Sequence, residues 1–280
     1  MKSQSELNWV FILIIGAIIL AFFTAFAFKY KSLQDEKTSI EILNTLDNSL
    51  TSLKTSPYAT FDSINLPLDV QVTCNNLIIN EETYATKNLL FSQKKLSKKM
   101  FIYYKPFKAP FKIADFYFIT DLNAKYHLVY DSTTQQYVIS LINSLPQELQ
   151  SKFSYSSNRK TQAFTKNIEI KNLNNYRNID NLNLNNNYLK VDDFSLYKND
   201  ELVYAAIFSD NFECMNEKIK LEIDKAVSVY KNKALTLRHE NCNYASLMSY
   251  LDNLKNDLTY SSSINSINTE LSSNNCPILY

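Results

Sequence analysis

Glycine is nearly missing from this sequence. The 280 residues contain one glycine, Gly16, and it lies inside an uncharged stretch. A single glycine excludes the Gly-rich loops that bind phosphate groups. Because asparagine adopts positive φ more readily than most residues that carry a side chain, we expect Asn-rich positions to form turns instead. These positions are Asn75–Asn76, Asn174–Asn175, Asn185–Asn187 and Asn274–Asn275.

A strong net charge and the common enzyme motifs are missing as well. The net charge is +1, which gives nucleic acids no general attraction to the chain. The sequence has neither G-x-S-x-G nor H-E-x-x-H, and its two histidines and four cysteines show no metal-ligand spacing. His127 lies in a strand pattern, and we interpret it as core or surface filling. We therefore expect a protein that is not an enzyme and that holds no cofactor or metal.

One long hydrophobic run occupies the amino terminus. Residues 9–28 carry no charge, and about 20 residues at ~1.5 Å each span the ~30 Å hydrocarbon core of a bilayer. Trp9 and Tyr30 lie near its two ends, where aromatic side chains favour the membrane interface. We predict a transmembrane helix at residues 9–28, preceded by a short cytoplasmic leader at residues 1–8. A stripe of small residues along this helix suits contact with another helix. The stripe consists of Gly16, Ala17, Ala21 and Ala25.

The helix is predicted to continue beyond the membrane. Residues 29–56 contain no glycine, and Pro57 follows them as a residue that stops a helix. Apolar residues recur at helical spacing, which places them on one side of an amphipathic helix. These residues are Leu33, Ile40, Leu43, Leu46, Leu50 and Leu53.

The start of the chain combines Lys2-Ser3-Gln4, an uncharged helix from Trp9 and an amphipathic extension before a β-rich region. This arrangement resembles archaeal type IV pilin-like proteins with a class III signal peptide, and the overall layout is similar to uncharacterised archaeal pilin-like surface proteins. The resemblance implies that a prepilin peptidase cuts between Ser3 and Gln4. It also implies that the partners are the lipid bilayer and either further copies of the chain or other pilin-like subunits. Ser3 stands where the family usually has Gly, and Asn8 where a Glu assists assembly.

Alternating apolar and polar residues predict a β-rich, antiparallel domain at residues 57–210. Asp121-Leu122-Asn123 is typical of a hairpin turn between two strands. One helix is predicted near residues 133–145, because apolar residues there have helical spacing and Pro146 ends the pattern. The apolar run at residues 201–209 predicts a central strand.

A lysine-rich stretch lies within this domain. Eight lysines and no carboxylate occur from Lys87 to Lys112, and aromatic residues lie between them. Lysines interleaved with rings suit a surface that binds a polyanion such as DNA or an anionic glycan. The alternative is a solvated hairpin whose lysines protect an edge strand from pairing. The candidate polyanion residues are Lys94, Lys95, Lys98, Lys99 and Lys105.

Residues 211–280 predict a helical hairpin or a three-helix segment, because apolar residues recur at helical spacing in three successive stretches. The predicted helices cover residues 213–239 and 243–259, and a short third helix carries Ile264, Ile267 and Leu271.

The chain has four cysteines, Cys74, Cys214, Cys242 and Cys276, and their presence after an export signal favours two disulfides. Cys214 and Cys242 would lie at opposite ends of a helix about 40 Å long, far beyond the ~7 Å limit for a bridge. Of the two pairings that remain, we prefer Cys242–Cys276 with Cys74–Cys214. A third helix that returns toward the start of the second brings Cys276 near Cys242, which ties down the carboxyl terminus. The alternative is four reduced thiols in a cytoplasmic domain.

Together these patterns predict an α+β chain with a long amino-terminal transmembrane and amphipathic helix, an antiparallel β-rich middle domain and a helical carboxyl-terminal segment. We expect a single-pass membrane protein whose amino terminus is cytoplasmic and whose folded domain is extracytoplasmic. Its expected role is that of a pilin-like surface protein with a structural, adhesive or interaction function. The alternative is a monomeric anchor that presents a partner- or polyanion-binding domain without forming a filament.

Overall fold

The computed structural model describes residues 3–80, 82–158, 165–170, 188–191, 199–237 and 242–280. Its architecture is α+β, with a long apolar helix at the amino terminus and helices at the carboxyl terminus, as the sequence predicts, and with two sheets between them. The helices are α1 (Ser3–Lys54), α2 (Gln135–Asn143), α3 (Gln147–Gln150), α4 (Asp200–Phe208), α5 (Phe212–Leu237), α6 (Ala245–Leu254) and α7 (Tyr260–Ser273). The strands are β1 (Thr60–Val72), β2 (Asn76–Ile79), β3 (Glu82–Ala85), β4 (Leu89–Ser92), β5 (Lys95–Lys108), β6 (Lys112–Asp121), β7 (Lys125–Tyr130), β8 (Phe153–Ser156), β9 (Thr165–Ile170) and β10 (Tyr188–Val191).

Helix α1 is one uninterrupted helix of 52 residues. It ends at Lys54, three residues before Pro57, because proline disfavours the helical conformation of the residue that precedes it. The predicted apolar stripe is only partly correct, since Leu33 and Ile40 are 56% and 46% exposed. The buried residues of the helix begin at Ser39, and from there the buried side follows the 3.6-residue period. The buried residues of α1 are Ser39, Ile42, Leu46, Ser49, Leu50 and Leu53.

The larger sheet has six strands in the order β3-β2-β1-β5-β6-β4. Its strands pair antiparallel except β4 and β6, which are parallel. Helices cover both faces. On β6, Tyr117 contacts α1, while the next side chain, Phe118, packs against Tyr204 and Phe208 of α4 on the opposite face. The core is therefore arranged as helix, sheet and helix, with aromatic side chains on both sides of the sheet.

The predicted hairpin at residues 121–123 is wrong. The Asp121 carboxylate accepts hydrogen bonds from the main-chain N–H groups of Asn123 and Ala124, both at 2.9 Å, so a turn does form there. However, β6 belongs to the six-stranded sheet, whereas β7 belongs to a second sheet. The turn therefore carries the chain from one sheet to the other instead of folding it back on itself.

The second sheet has the order β10-β9-β7-β8, and all three strand pairs are parallel. The predicted antiparallel domain is therefore correct for most of the first sheet and wrong for the second. The parallel pair β7 and β8 is joined through α2 and α3, which is the crossover that parallel strands require. Helix α2 occupies the stretch that was predicted to be helical, and it buries Val138, Leu141 and Ile142.

The predicted strand at residues 201–209 is also wrong, because this run forms α4. All residues from Leu202 to Phe208 are buried. Tyr103 and Phe118 of the first sheet contact this helix on one side, and Phe153 of the second sheet contacts it on another. A helix enclosed on all sides is apolar all round, so it lacks the period that marks an amphipathic helix.

Asparagine forms some of the turns, as expected from the shortage of glycine. Three non-glycine residues in the described ranges have positive φ, namely Asn80, Lys98 and Asn275. Of these, Asn275 belongs to a predicted turn. The predicted turn at Asn75–Asn76 also forms, between β1 and β2, but neither residue has a positive φ. The predicted turns at Asn174–Asn175 and Asn185–Asn187 lie outside the described residues.

Helices α5, α6 and α7 form the carboxyl-terminal segment, and two disulfides join it internally and to the sheet. Cys74, in the turn between β1 and β2, pairs with Cys214 of α5 at a Cα–Cα distance of 6.1 Å. Cys242 pairs with Cys276 at 5.7 Å. These are the two pairs that the sequence favoured. The carboxyl end is further held by Asn268, whose side-chain oxygen accepts a hydrogen bond of 2.7 Å from the Leu279 N–H.

Candidate functional site: the exposed apolar helix and its junction with the domain

The first part of α1 projects away from the folded domain. Every residue from Phe11 to Gln34 is exposed, including Phe28 at 71%. In the part of the chain that the structure describes, α1 is the one helix that is long and apolar enough to cross a membrane. An apolar surface of this size is unfavourable in water, because soluble proteins rarely expose large contiguous apolar patches. The surface therefore requires lipid or another apolar partner.

The small-residue stripe on this segment is open. A Cβ atom placed on Gly16 would have no neighbouring atom within 4 Å, and Ala17, Ala21 and Ala25 are exposed. Among the residues that the structure describes, none therefore packs against this face. The predicted processing residues, Ser3 and Gln4, lie in the first turn of the same helix.

The second part of α1 is fixed to the sheet by polar contacts as well as by its buried apolar side chains. The Tyr117 hydroxyl donates a 3.1 Å hydrogen bond to the main-chain carbonyl of Leu50. The Ser49 hydroxyl donates to the carboxylate of Asp62 on β1. These two contacts join α1 to strands on both sides of β5, so the helix is anchored across the sheet and not to one strand.

A third polar contact lies at the end of the helix. The Lys54 ammonium is 3.3 Å from the Asp115 carboxylate, whose side chain is 14% exposed. Asp115 also pairs with Lys112 at 2.6 Å and accepts a 2.7 Å hydrogen bond from the Tyr104 hydroxyl. Burial raises the pKa of the Asp115 carboxyl, but the hydrogen bonds and positive charges of these partners outweigh burial and hold the pKa below its ordinary value.

The predicted polyanion residues do not form one surface. Lys94 and Lys98 are exposed, and Lys95 pairs with Asp69 at 2.7 Å. Lys105 lies about 20 Å further along β5 from Lys99. Its ammonium is 3.0 Å from the carboxylate of Glu201, which belongs to α4, and its side chain is only 23% exposed. This ion pair therefore joins β5 to α4.

The structure gives Lys99 a different neighbour. The ammonium groups of Lys99 and Lys152 lie 5.4 and 4.8 Å from the centroid of the Phe101 ring. Lys152 precedes β8, far from β5 in sequence, so a search along one stretch of sequence could not find it. It also donates hydrogen bonds to the carbonyls of Asp121 and Leu122, and burial lowers its pKa. Two of its N–H groups are therefore directed at the protein.

Two further features bear on chemistry. His127 is fully buried and hydrogen-bonds to Ser154 and Ser156 at 2.8 and 2.9 Å, which fits core filling. Across the residues that the structure describes, no three or more His, Cys, Asp or Glu side chains form a group that could hold a metal ion.

No family model, curated protein or solved structure matches the chain.

Proposed function

We propose that this chain is a membrane-anchored surface protein that acts as a type IV pilin-like subunit, either in a filament or as a minor component of one. The observation that carries the proposal is the continuity of α1. One helix of 52 residues runs from an entirely exposed apolar segment into the core of the folded domain. Because the helix is continuous, the place of its exposed segment in a membrane or a filament core fixes the place of the domain.

The length of α1 fits this role. Its 52 residues extend roughly 78 Å, of which a bilayer core accounts for about 30 Å. The part of the remainder from Ser39 to Lys54 packs on the sheet through a buried stripe and through Ser49, Leu50 and Lys54. A rigid junction of this kind is needed where subunits stack through their helices, because a flexible linker would leave the domains without fixed positions.

The cysteine pairs support an extracytoplasmic domain. Both Cys74–Cys214 and Cys242–Cys276 are at disulfide distance, and disulfides persist in oxidising compartments. With the domain outside, the amino terminus is cytoplasmic, where the family's prepilin peptidase acts. Processing between Ser3 and Gln4 then leaves a chain that starts next to the membrane segment.

The second candidate is a monomeric single-pass anchor that presents the domain to a partner or polyanion. The exposed Lys94 and Lys98, together with Lys99 and Lys152 around Phe101, favour this candidate. It requires no contact at the open stripe of α1, because lipid alone then covers the helix.

Two measurements separate the candidates. We expect the protein purified from membranes to begin at Gln4, as read by amino-terminal sequencing and intact mass. We also expect Ala17→Cys and Ala21→Cys chains to form disulfide-linked dimers in native membranes. Ile19→Cys is the matched control, because it points to the opposite side of the helix. An intact Met1 together with equal, weak cross-linking at all three positions would favour the monomeric anchor.

Orientation is tested separately. Tyr58 is 77% exposed and follows the end of α1. A Tyr58→Cys chain should react with a membrane-impermeant maleimide on intact cells. Reaction only after lysis would place the domain in the cytoplasm and contradict both candidates.

A further inference from the structure

The two disulfides differ in their access to solvent. Cys214 is exposed and Cys74 is half-buried, whereas Cys242 and Cys276 are only 9% and 6% exposed. A disulfide opens when a thiolate attacks one of its sulfur atoms, so the rate depends on access to that atom. Exposure therefore distinguishes Cys74–Cys214 as the reactive bridge.

The exposed bridge lies in the wall of a cavity of about 220 Å³. The volume is several times that of a water molecule, about 30 Å³, and admits the thiol end of a small molecule. The residues that line it are Gln71, Val72, Thr73, Cys74, Lys94, Asn211 and Cys214.

Hydrogen bonds hold the walls of this cavity in place. The Asn211 side-chain amide donates to the Val72 carbonyl at 3.3 Å, and the Val72 N–H donates to the Lys94 carbonyl at 2.9 Å. The Lys94 N–H in turn donates to the Asp210 carboxylate at 3.0 Å. The turn that carries Cys74 and the start of α5 are thus joined independently of the disulfide, so the cavity does not depend on that bond.

Two lysines lie next to the bridge. Lys94 lines the cavity, and the Lys218 ammonium donates a hydrogen bond to the Cys74 carbonyl. Cys214 is in the first turn of α5, where unpaired N–H groups favour a thiolate. Three acidic residues are also close, and two of them are paired with other lysines: Glu217 is 3.2 Å from Lys220 and Asp210 is 3.1 Å from Lys166. The third is Glu213, in the first turn of α5.

We propose that Cys74–Cys214 is a thiol–disulfide exchange site for anionic thiols of low molecular weight. The thiolate attacks the Cys214 sulfur and forms a mixed disulfide, and Cys74 leaves with the electron pair of the broken bond. A second thiolate attacks the sulfur of the bound small molecule, which releases an oxidised dimer and the Cys214 thiolate. Two electrons pass from the two small thiols to the bridge, and the protons that these thiols lose are taken up by Cys74 and Cys214.

Opening this bridge removes the covalent link between the β1–β2 turn and α5 but leaves the hydrogen bonds that join them, while Cys242–Cys276 keeps the carboxyl terminus tied. The exchange site does not depend on whether the chain forms a filament. Failure of the experiment below therefore leaves the proposed function untouched.

The order of opening tests the site. The full chain in detergent micelles is incubated with increasing 2-mercaptoethanesulfonate, a small anionic thiol, and free cysteines are alkylated and mapped by mass spectrometry. We expect Cys74 and Cys214 to be alkylated at a thiol concentration about tenfold lower than Cys242 and Cys276, with an unchanged circular dichroism spectrum. Simultaneous opening of both bridges, or earlier opening of Cys242–Cys276, would overturn the proposal.

Charge selection is tested with a second thiol. Cysteamine has the same two-carbon chain as 2-mercaptoethanesulfonate but carries a positive charge, and each rate is divided by that thiol's rate with a neutral disulfide. We expect the anionic thiol to react several-fold faster, and Lys94→Gln to reduce this preference. Lys87→Gln is the matched control, since Lys87 is exposed but does not line the cavity. Equal normalised rates for the two thiols would contradict the preference for anions.

Discussion

The Tyr117 hydroxyl donates a hydrogen bond of 3.1 Å to the main-chain carbonyl of Leu50, and this bond joins the sheet to the long helix in a buried place. Tyr117 is 1% exposed, and burial raises the pKa of its hydroxyl, so this group remains a neutral donor across the physiological range. The bond fixes the rotation of α1 relative to β6, because it is directed at one carbonyl of the helix.

Tyr117→Phe removes this donor while keeping the ring. We expect the free energy of unfolding to fall by about 0.5–1.5 kcal/mol, the usual net value of a hydrogen bond. Chemical unfolding of the full chain in detergent, followed by near-ultraviolet circular dichroism, measures the change. Tyr58→Phe is the control, since Tyr58 is 77% exposed, and it should leave stability unchanged. Equal effects of the two substitutions would show that the Leu50 contact adds nothing.

The Asp115 cluster makes the junction sensitive to acid. The pKa of Asp115 is lower in the folded chain than its ordinary value, since the contacts of Lys112, Tyr104 and Lys54 outweigh burial. A group with a lowered folded pKa adds stability that is present above the unfolded pKa and is lost as pH falls through the folded pKa. The contribution of Asp115 should therefore be complete at pH 7 and should disappear at strongly acidic pH.

Asp115→Asn tests this dependence. At pH 7 we expect the variant to be less stable by about 1 kcal/mol, because Lys54 and Lys112 are partly exposed and solvent screens them. The difference between the two proteins should shrink as pH falls from about 5 to below 3. Asp69→Asn is the control, because Asp69 forms an exposed pair with Lys95, and it should have a smaller effect. A constant difference at all pH values would contradict the role of the Asp115 charge.

The sequence predicts the structure correctly where the deciding interactions are between residues close together in the chain. An uncharged run of 20 residues followed by helical spacing and Pro57 predicts the long helix of the structure. Helix length alone excludes a bridge between Cys214 and Cys242, and the structure has the preferred pairs. The exact buried side of α1 could not be predicted, because it depends on where the domain first contacts the helix. That contact begins at Ser39 and leaves Ile40 exposed.

Strand partners were not available from the sequence. Alternation identifies a strand but not its neighbours, so the turn at Asp121 gave no sign that β6 and β7 belong to different sheets. Lys152 could not be predicted as a neighbour of Lys99 for the same reason, because it reaches Phe101 from another part of the chain. Distant contacts of this kind arise only when the whole domain has folded.

The residues before helix α4 indicate the start of a helix, although the apolar run that follows them was interpreted as a strand. An apolar run of this length fits a buried strand and a buried helix equally well. The three polar residues before the run decide between them, because Asn199 is a helix cap and Asp200 and Glu201 favour the first turn of a helix. In the structure the Asn199 side-chain oxygen accepts a 3.2 Å hydrogen bond from the Leu202 N–H.

Asn199→Ala should lower the free energy of unfolding by about 1 kcal/mol, because the Leu202 N–H loses its side-chain acceptor at a helix start. Thermal or chemical unfolding of the full chain in detergent measures the loss. Asn199→Asp is the matched control, since it keeps the accepting oxygen and adds a negative charge next to the positive end of α4. It should be neutral or slightly stabilising. If both variants lose the same stability, the cap does not contribute to α4.

Asn275 ends α7 in the manner usual for glycine. Its φ is 56°, and the N–H groups of Asn275 and Cys276 donate to the carbonyls of Ser272 and Leu271 at 3.1 and 2.8 Å, which is a Schellman motif. This conformation is unstrained for glycine and costly for alanine. Asn275→Gly should therefore raise the free energy of unfolding and Asn275→Ala should lower it, with a difference of about 1 kcal/mol between the two variants. Thermal unfolding of the two variants measures this difference. Asn274→Ala is the control, since Asn274 has a negative φ, and it should cause a smaller loss than Asn275→Ala. A glycine variant less stable than the alanine variant would mean that the asparagine side chain, and not the backbone conformation, is what holds the end of α7.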